Sequence, residues 1–326
     1  MGFVKRNVRK RGLNAAWWRS LARDAAWRAR YPPFESPVAA TWVLPHNSSA
    51  DVRVRWPEKY RWDPTRMWVE TIRQGLAMKV PVSIEDVPQR HHGHVIFEVV
   101  FGDRTVEAVI DWRDTHDIEE EVAGVSPVLF KMQYRKDGYG RENVVPGGFT
   151  PGNPKLYRYL SALRRRRDTA PGEGVYGRFT PNSEVRAKAI NALHRQNRFR
   201  YASGRLQPYT TYLNEVAGAA IGIDLPGRGD FCFRLVDYLA IGVCIVRPKG
   251  ETRLHVPLVP EENVVYCRDD VSDLVDVCAE LLADEPRRAR IANGAGEYFD
   301  KYLAREQLAS YYLATTAEHG ARILTR

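Results

Sequence analysis

The 326-residue chain reads as an α/β protein. Three observations carry that reading. The second half alternates short apolar runs with amphipathic helical patterns, one of those runs enters a glycine turn that opens a helix, and no stretch of eighteen apolar residues occurs anywhere. Strands alternating with helices make a parallel, helix-covered sheet, so the second half is expected to be Rossmann-like.

The elements follow in order. Leu13 to Trp27 is helical in pattern, with Trp17, Trp18, Leu21 and Ala25 on one face and Arg19 and Arg23 elsewhere, and Pro32-Pro33 ends it. Ala39 to Leu44 reads as a first short strand. Asp63-Pro64 ahead of Met67, Val69, Ile72 and Leu76 predicts a capped amphipathic helix. Val95 to Phe101 and Thr105 to Ile110, joined by Gly102-Asp103-Arg104, are expected to pair as a hairpin, and Val128 to Tyr134 is a further strand. Gly147 to Pro154 and Arg164 to Gly174 are rich in turn or polar residues, which puts a domain boundary near residue 168.

Beyond it come strand Val175 to Phe179, helix Asn182 to Leu193, strand Phe199 to Ala202, helix Tyr209 to Val216 and strand Ala220 to Leu225. The glycine turn Gly227-Arg228-Gly229-Asp230 then opens a helix carrying Arg234 and Asp237, which closes at Gly242. Strands Val243 to Arg247 and Val264 to Arg268 and helix Val271 to Ala283 complete the series. At the turn, backbone N–H groups and a guanidinium meet at one helix N-terminus, which is the chemistry of an anion site.

Charge is unevenly distributed. Residues 1 to 30 hold nine basic side chains (Lys5, Arg6, Arg9, Lys10, Arg11, Arg19, Arg23, Arg28, Arg30) against Asp24, so this arm supplies +8 of the net +9. Such a helix can lie on an anionic membrane, approach a nucleic acid or pack on its own body. The start, Met1-Gly2-Phe3-Val4-Lys5-Arg6, has no apolar signal core, so a cytoplasmic location is expected, with the arm peripheral to a membrane as the variant of that reading.

Several chemistries are disfavoured. Cys232, Cys244, Cys267 and Cys278 show no CxxC spacing and read as buried thiols. The His-x-His pair in Arg90-His91-His92-Gly93-His94 lacks a completing carboxylate or cysteine, and no Asp-x-Asp is present, so no metal and no cofactor are expected. Gly172-x-Gly174-x-x-Gly177 precedes a strand, the wrong place for a dinucleotide fingerprint.

The segment GRGDFCFRLVDYLAIGVCIV resembles the donor-binding segment of GT-B glycosyltransferases, close to the CAP10-like (protein O-glucosyltransferase) and CgeB-like group 1 families. The similarity continues through Asn263 to Tyr266, Asp273-Leu274, Leu281 to Asp284, Arg290 to Ala292 and Tyr311-Tyr312, and spans about residues 170 to 320. It implies two Rossmann-like domains facing a central cleft. The corresponding division is a basic arm over 1–35, an acceptor-side domain over 36–168, a nucleotide-sugar domain over 169–303 and a C-terminal helix over 304–326 that packs back on the first domain. It also implies inverting hexosyl or pentosyl transfer from a UDP-sugar or related donor to a hydroxyl acceptor, without metal.

Transfer of that kind needs cations for the leaving diphosphate and a base for the acceptor hydroxyl. Arg234, behind Gly227, Gly229 and Phe233, suits the diphosphate; Asp237 either accepts ribose hydroxyls or pairs with Arg234. Arg178, at a strand's carboxyl end, is a second cation. Val-Ile-x-x-Arg-Asp at Val109 to Asp114 resembles the segment where CAP10-like enzymes carry their catalytic aspartate, which maps the base onto Asp114. The family's aromatic and proline are replaced by Thr115-His116, so Asp111, His116 and Asp117 remain rivals, and helix capping is the alternative role of Asp114. The acceptor, whether glycan, peptide or DNA hydroxyl, is not legible. A non-catalytic polyanion-binding module on the same scaffold is the alternative function.

Overall fold

The computed structural model describes residues 15–44, 51–170 and 172–323. Two sheets occur among the described residues. The first is built from β1 (Val52–Pro57), β2 (Val82–Glu85), β3 (His94–Phe101), β4 (Arg104–Asp111), β5 (Val128–Lys131) and β6 (Val144–Pro146), in the order β2-β1-β3-β4-β5-β6. β1 pairs with β2 in parallel through a crossover helix α2 (Thr65–Ala77), β3 and β4 form the expected antiparallel hairpin, and β4, β5 and β6 run parallel. Strand β3 is apolar along nearly its whole length because both faces are covered. Val95, Phe97 and Val99 lie beneath α2 and the last helix, whereas Ile96, Val109 and Leu129 lie against Val122 and Ala123 of the short helix α3 (Glu120–Val125).

The second sheet contains β7 (Val175–Tyr176), β8 (Tyr201–Ala202), β9 (Ile221–Ile223), β10 (Cys244–Pro248) and β11 (Val265–Cys267), all parallel, in the order β11-β10-β9-β7-β8. Alternating residues of β10 sort to its two faces. Cys244 and Val246 pack with α5 (Glu184–Arg195) and α8 (Leu274–Ala283), while Val243 and Ile245 pack with α6 (Tyr209–Ala217) and α7 (Phe233–Ile241). The chain is thus a mixed α/β protein whose second sheet is parallel and helix-covered.

Three expectations need correction. Ala39 to Leu44 forms no strand, because its backbone is met by a side chain instead of a neighbouring strand: Gln307 accepts from Thr41 N at 3.0 Å and donates to the carbonyls of Val38 and Ala39. The strand expected over Val128 to Tyr134 stops at Lys131, where the chain turns toward the second half. The polar stretch before residue 170 is the end of a helix, α4 (Leu156–Thr169). Its arginines find acceptors: Arg164 forks onto Asp300 with two 2.8 Å bonds, and Arg166 and Arg167 donate to carbonyls at the end of α6.

α1 (Ala15–Arg30) lies on α4 and α6. It docks through Asp24, which accepts from the Tyr159 hydroxyl, and through Trp27, whose ring centroid is 5.5 Å from that of Tyr159. Trp18, Leu21 and Ala25, the face expected to pack or to bind, point outward, and the side chain of Trp17 lies outside the described residues. After α9 (Glu285–Tyr298) and a π-helical turn (Phe299–Leu303), α10 (Arg305–Ile323) runs back across α2 and the β3–β5 face of the first sheet.

Candidate functional site

In a parallel open sheet, ligands bind beyond the carboxyl ends of the strands where the strand order reverses. Here that point lies between β7 and β9, each followed by a loop. The first loop carries Arg178 and Phe179; the second carries Asp224 and the glycine turn, and delivers the chain into α7. Gly227 N donates to Gly229 O at 2.9 Å, Cys232 is extended as N-cap, and Gly242 ends the helix at φ +77°.

Arg234, in the first turn of α7, points into this crevice. Its guanidinium carbon stands 5.0 Å from the Phe179 ring centroid, and Nη1 is 3.9 Å from Asp224 Oδ1, too far for a hydrogen bond. Asp224 Oδ2 accepts from Arg247 Nε at 3.2 Å, and Arg186 donates to Leu225 O and Asn182 Oδ1. Three guanidiniums therefore surround one carboxylate. Burial pushes the Asp224 carboxyl up, against the pull of Arg247, Arg234 and Arg186. Arg234 Nη1, Arg186 Nε, Asp224 Oδ1 and the Tyr238 hydroxyl are buried with no hydrogen-bond partner. Buried polar atoms are nearly always satisfied, so the orphaned donors of Arg234, Arg186 and Tyr238 in a cation-rich crevice are suited to an anion with several acceptor oxygens, the Asp224 charge being offset by the guanidiniums around it.

The other second-half candidates are differently placed. Asp237 is 3% exposed and turns inward, where Tyr209 donates to Oδ1 at 2.9 Å. Burial pushes its carboxyl up to about 7, against the hydroxyls of Tyr209 and Tyr212. It faces neither the crevice nor Arg234 as an ion-pair partner. Arg178 forks onto Glu215 at 2.8 and 3.1 Å and also donates to Ser203 O, so its charge is already met. Phe233 packs among Trp68, Trp112 and Phe149 between the two halves. At Gly227 a Cβ would sit 3.2 Å from Arg186 Nη2, and at Gly229 it would sit 2.4 Å from Gln133 Nε2 and 3.2 Å from Asp114 Oδ1.

That last contact joins the halves. Asp114 leaves β4 in a loop that abuts the glycine turn, and a cleft of about 400 Å³ between them is lined by His116, Arg228, Gly229, Asp230, Glu251 and Asp269. Asp114 does not line it but lies against Gly229, which does, and is itself exposed. Partial burial lifts its carboxyl above the ordinary aspartate value, against Arg228 and Lys131. Asp111 is fully buried: Lys131 Nζ lies 3.0 Å from Oδ2, Arg113 Nη2 lies 2.7 Å from the same oxygen, and Arg113 Nε and N both reach Oδ1. His116 Nε2 is 2.7 Å from Thr252 Oγ1, across the halves. Asp117 is exposed, and its carbonyl receives Arg113. Of the four acid–base candidates, His116 lines the cleft but is bonded to Thr252, and Asp114, beside Gly229 of the cleft wall, has no hydrogen bond to its carboxylate among the described residues.

Asp224, Arg186, Arg247 and Gln133 escaped the sequence reading. Asp224 and Arg247 had a signal, each being a charge inside or directly after an apolar strand run; Arg186 and Gln133 had none. The cysteines form no disulfide. His94 is buried, with Nδ1 3.1 Å from the His92 carbonyl, and no group of three or more potential metal ligands occurs among the described residues.

No family model matches the chain, and no curated protein does. Among solved structures, the chain is similar to a glycosyltransferase from Rickettsia africae ESF-5, at 9% identity and a TM-score of 0.35, over 64% of this chain and 67% of that one. A likeness of that size bears no weight on activity.

Proposed function

We propose that the chain is a GT-B-type glycosyltransferase that moves a sugar from a nucleoside-diphosphate donor, UDP in the simplest case, to a hydroxyl acceptor with inversion and without a metal. The observation that carries this reading is the orphaned, cation-rich crevice around Arg234 at the point where the strand order of the second sheet reverses. The resemblance of the GRGDFCFRLVDYLAIG segment supports the donor class.

In this mechanism the diphosphate lies against Arg234 and the start of α7, with Arg186 and Arg247 adding positive potential from behind. Asp114 accepts the proton of the acceptor hydroxyl as its oxygen bonds to the anomeric carbon. The bond from that carbon to the diphosphate breaks on the opposite face, and its electron pair leaves on the phosphate oxygen. A carboxyl lifted above the ordinary aspartate value is a better proton acceptor than a free aspartate, while a cleft that opens on one side leaves room for the acceptor.

Calorimetric titration with UDP tests the donor site. Arg234→Met, which keeps the apolar stem, should weaken binding by roughly ten- to hundredfold, about 1.5–3 kcal/mol. Asp114→Asn should bind UDP as the parent does while turnover falls by about two to four orders of magnitude. Undiminished UDP binding by a folded Arg234→Met variant would overturn the donor assignment, and full turnover by Asp114→Asn the base assignment.

A further inference from the structure

Helix α1 is mounted the wrong way round for a helix that serves only its own fold. Its carboxylate, Asp24, is buried against Tyr159, while Trp18, Leu21, Ala22, Ala25 and Ala29 recur at helical spacing on the opposite side and are all exposed. Trp18 is 52% and Leu21 44% exposed. Exposed apolar residues scattered singly need no explanation, but a contiguous stripe along one helix marks a binding surface.

The border of the stripe is cationic, and the tertiary structure makes it more so. Arg19 and Arg30 are exposed beside it, and α4 brings Arg165 and Arg166 alongside, from about 140 residues further on in the chain. Arg23 and Arg30 of α1 line one shallow cleft of about 470 Å³ together with Arg165 and Arg166 of α4. The proximity is felt electrostatically: burial, and next the neighbouring Arg166 and Arg19, lower the pKa of Arg23. The chain preceding α1 adds Lys5, Arg6, Arg9, Lys10 and Arg11 with no acidic residue.

We infer that this face, the Trp18–Leu21–Ala25 stripe with the arginines of α1 and α4 along one flank, docks on the surface of an anionic phospholipid bilayer. Tryptophan and leucine enter the boundary between headgroups and acyl chains, and arginines at the rim meet lipid phosphates. A nucleic acid would satisfy the arginines equally but leave the stripe with no apolar partner, since its accessible backbone is phosphate and sugar. The inference is independent of the donor-site reading: α1 lies on α4 and α6, and every residue it uses is absent from the crevice.

The test is co-sedimentation of the full chain with vesicles of phosphatidylcholine alone or with added phosphatidylserine. Binding should require phosphatidylserine and fall as salt is raised, because the rim contacts are screened. Trp18→Ser with Leu21→Ser should reduce partitioning about tenfold or more, and Arg19→Gln with Arg165→Gln severalfold, with melting temperature and UDP binding unchanged. Equal binding to neutral and anionic vesicles, or undiminished binding by the Trp18→Ser/Leu21→Ser variant, overturns the inference. So does duplex DNA binding without vesicle binding. Self-association of the parent that this variant abolishes also overturns it, since a second copy would then cover the stripe.

Discussion

Asp111 and Lys131 end adjacent parallel strands, and each is fully buried, so their charges survive only because they meet. Burial pushes the Asp111 carboxyl up, but the His94 ring 3.5 Å away, hydrogen bonds from Arg113 and the charge of Lys131 outweigh it and hold the group well below the usual carboxylate range. Its role is therefore to pin the start of the 112–117 loop, and with it Asp114. Asp111→Asn would leave Lys131 buried and unpaired, which should destabilise the fold by about 3–5 kcal/mol in denaturant unfolding. Because the folded pKa is depressed, the pair's contribution is present above the unfolded aspartate value of about 4 and is lost as pH falls below it. The neighbouring Asp114→Asn, exposed beside the cleft, should leave stability nearly unchanged. The two aspartates, three residues apart and indistinguishable by type, thus separate into a structural group and a candidate base.

At the scale of the element, α7 shows what a local pattern can and cannot convey. Its start after a glycine turn and its end at Gly242 follow from backbone chemistry, and both are where the sequence put them. The direction of Asp237 is not a local property, since it depends on Tyr209 of α6 lying beside it. The raised carboxyl has a measurable consequence. Below about pH 4 it is neutral in both the folded and the unfolded chain; above that the unfolded chain ionises first, while the folded one stays neutral until about pH 7. The stability it contributes is therefore lost as pH rises across that window, at about 1.4 kcal/mol per unit, and no further above it. Asp237→Asn should remove that slope from the pH dependence of chemical unfolding. An identical slope in parent and variant would mean that the carboxyl is ionised in the fold. Isolated short strands were harder to read than α7: β2 and β6 went unrecognised because three or four residues carry too little periodicity and no regular strand–helix alternation frames them, and β1 was missed despite the alternation of Val52-Arg53-Val54-Arg55-Trp56, whereas the eight-residue β3 and β4 and their two-residue turn were plain.

At the scale of the whole molecule, Gln133 joins His116 and Phe233 in tying the halves together. Gln133, 1% exposed just after β5, donates to Phe231 O at 2.9 Å and accepts from Phe231 N at 3.1 Å and from Thr252 Oγ1 at 3.2 Å. Removing it leaves the N–H and the carbonyl of Phe231 unmet beside the glycine turn, while the Thr252 hydroxyl keeps His116. Gln133→Ala should lower stability by about 1–3 kcal/mol and weaken UDP binding without touching the ligand's charge, as thermal unfolding and titration of one sample can show. An unchanged melting temperature would remove Gln133 as a joint. The sequence by itself determined the alternation of strands and helices in the second half, the β3–β4 hairpin and the glycine turn that opens α7, because each rests on residue spacing or on backbone preferences within a few positions. Only the tertiary structure decided which charges meet. It gathered Arg186, Asp224, Arg234 and Arg247 from four separate elements, gave Arg178 to Glu215, buried Asp111 while leaving Asp114 beside the cleft, and turned the apolar stripe of α1 outward. Periodicity tells a helix or strand that it has two faces; what covers each face depends on contacts between residues tens to hundreds of positions apart, and Coulomb and hydrogen-bond energies act on distances that spacing along the chain does not contain.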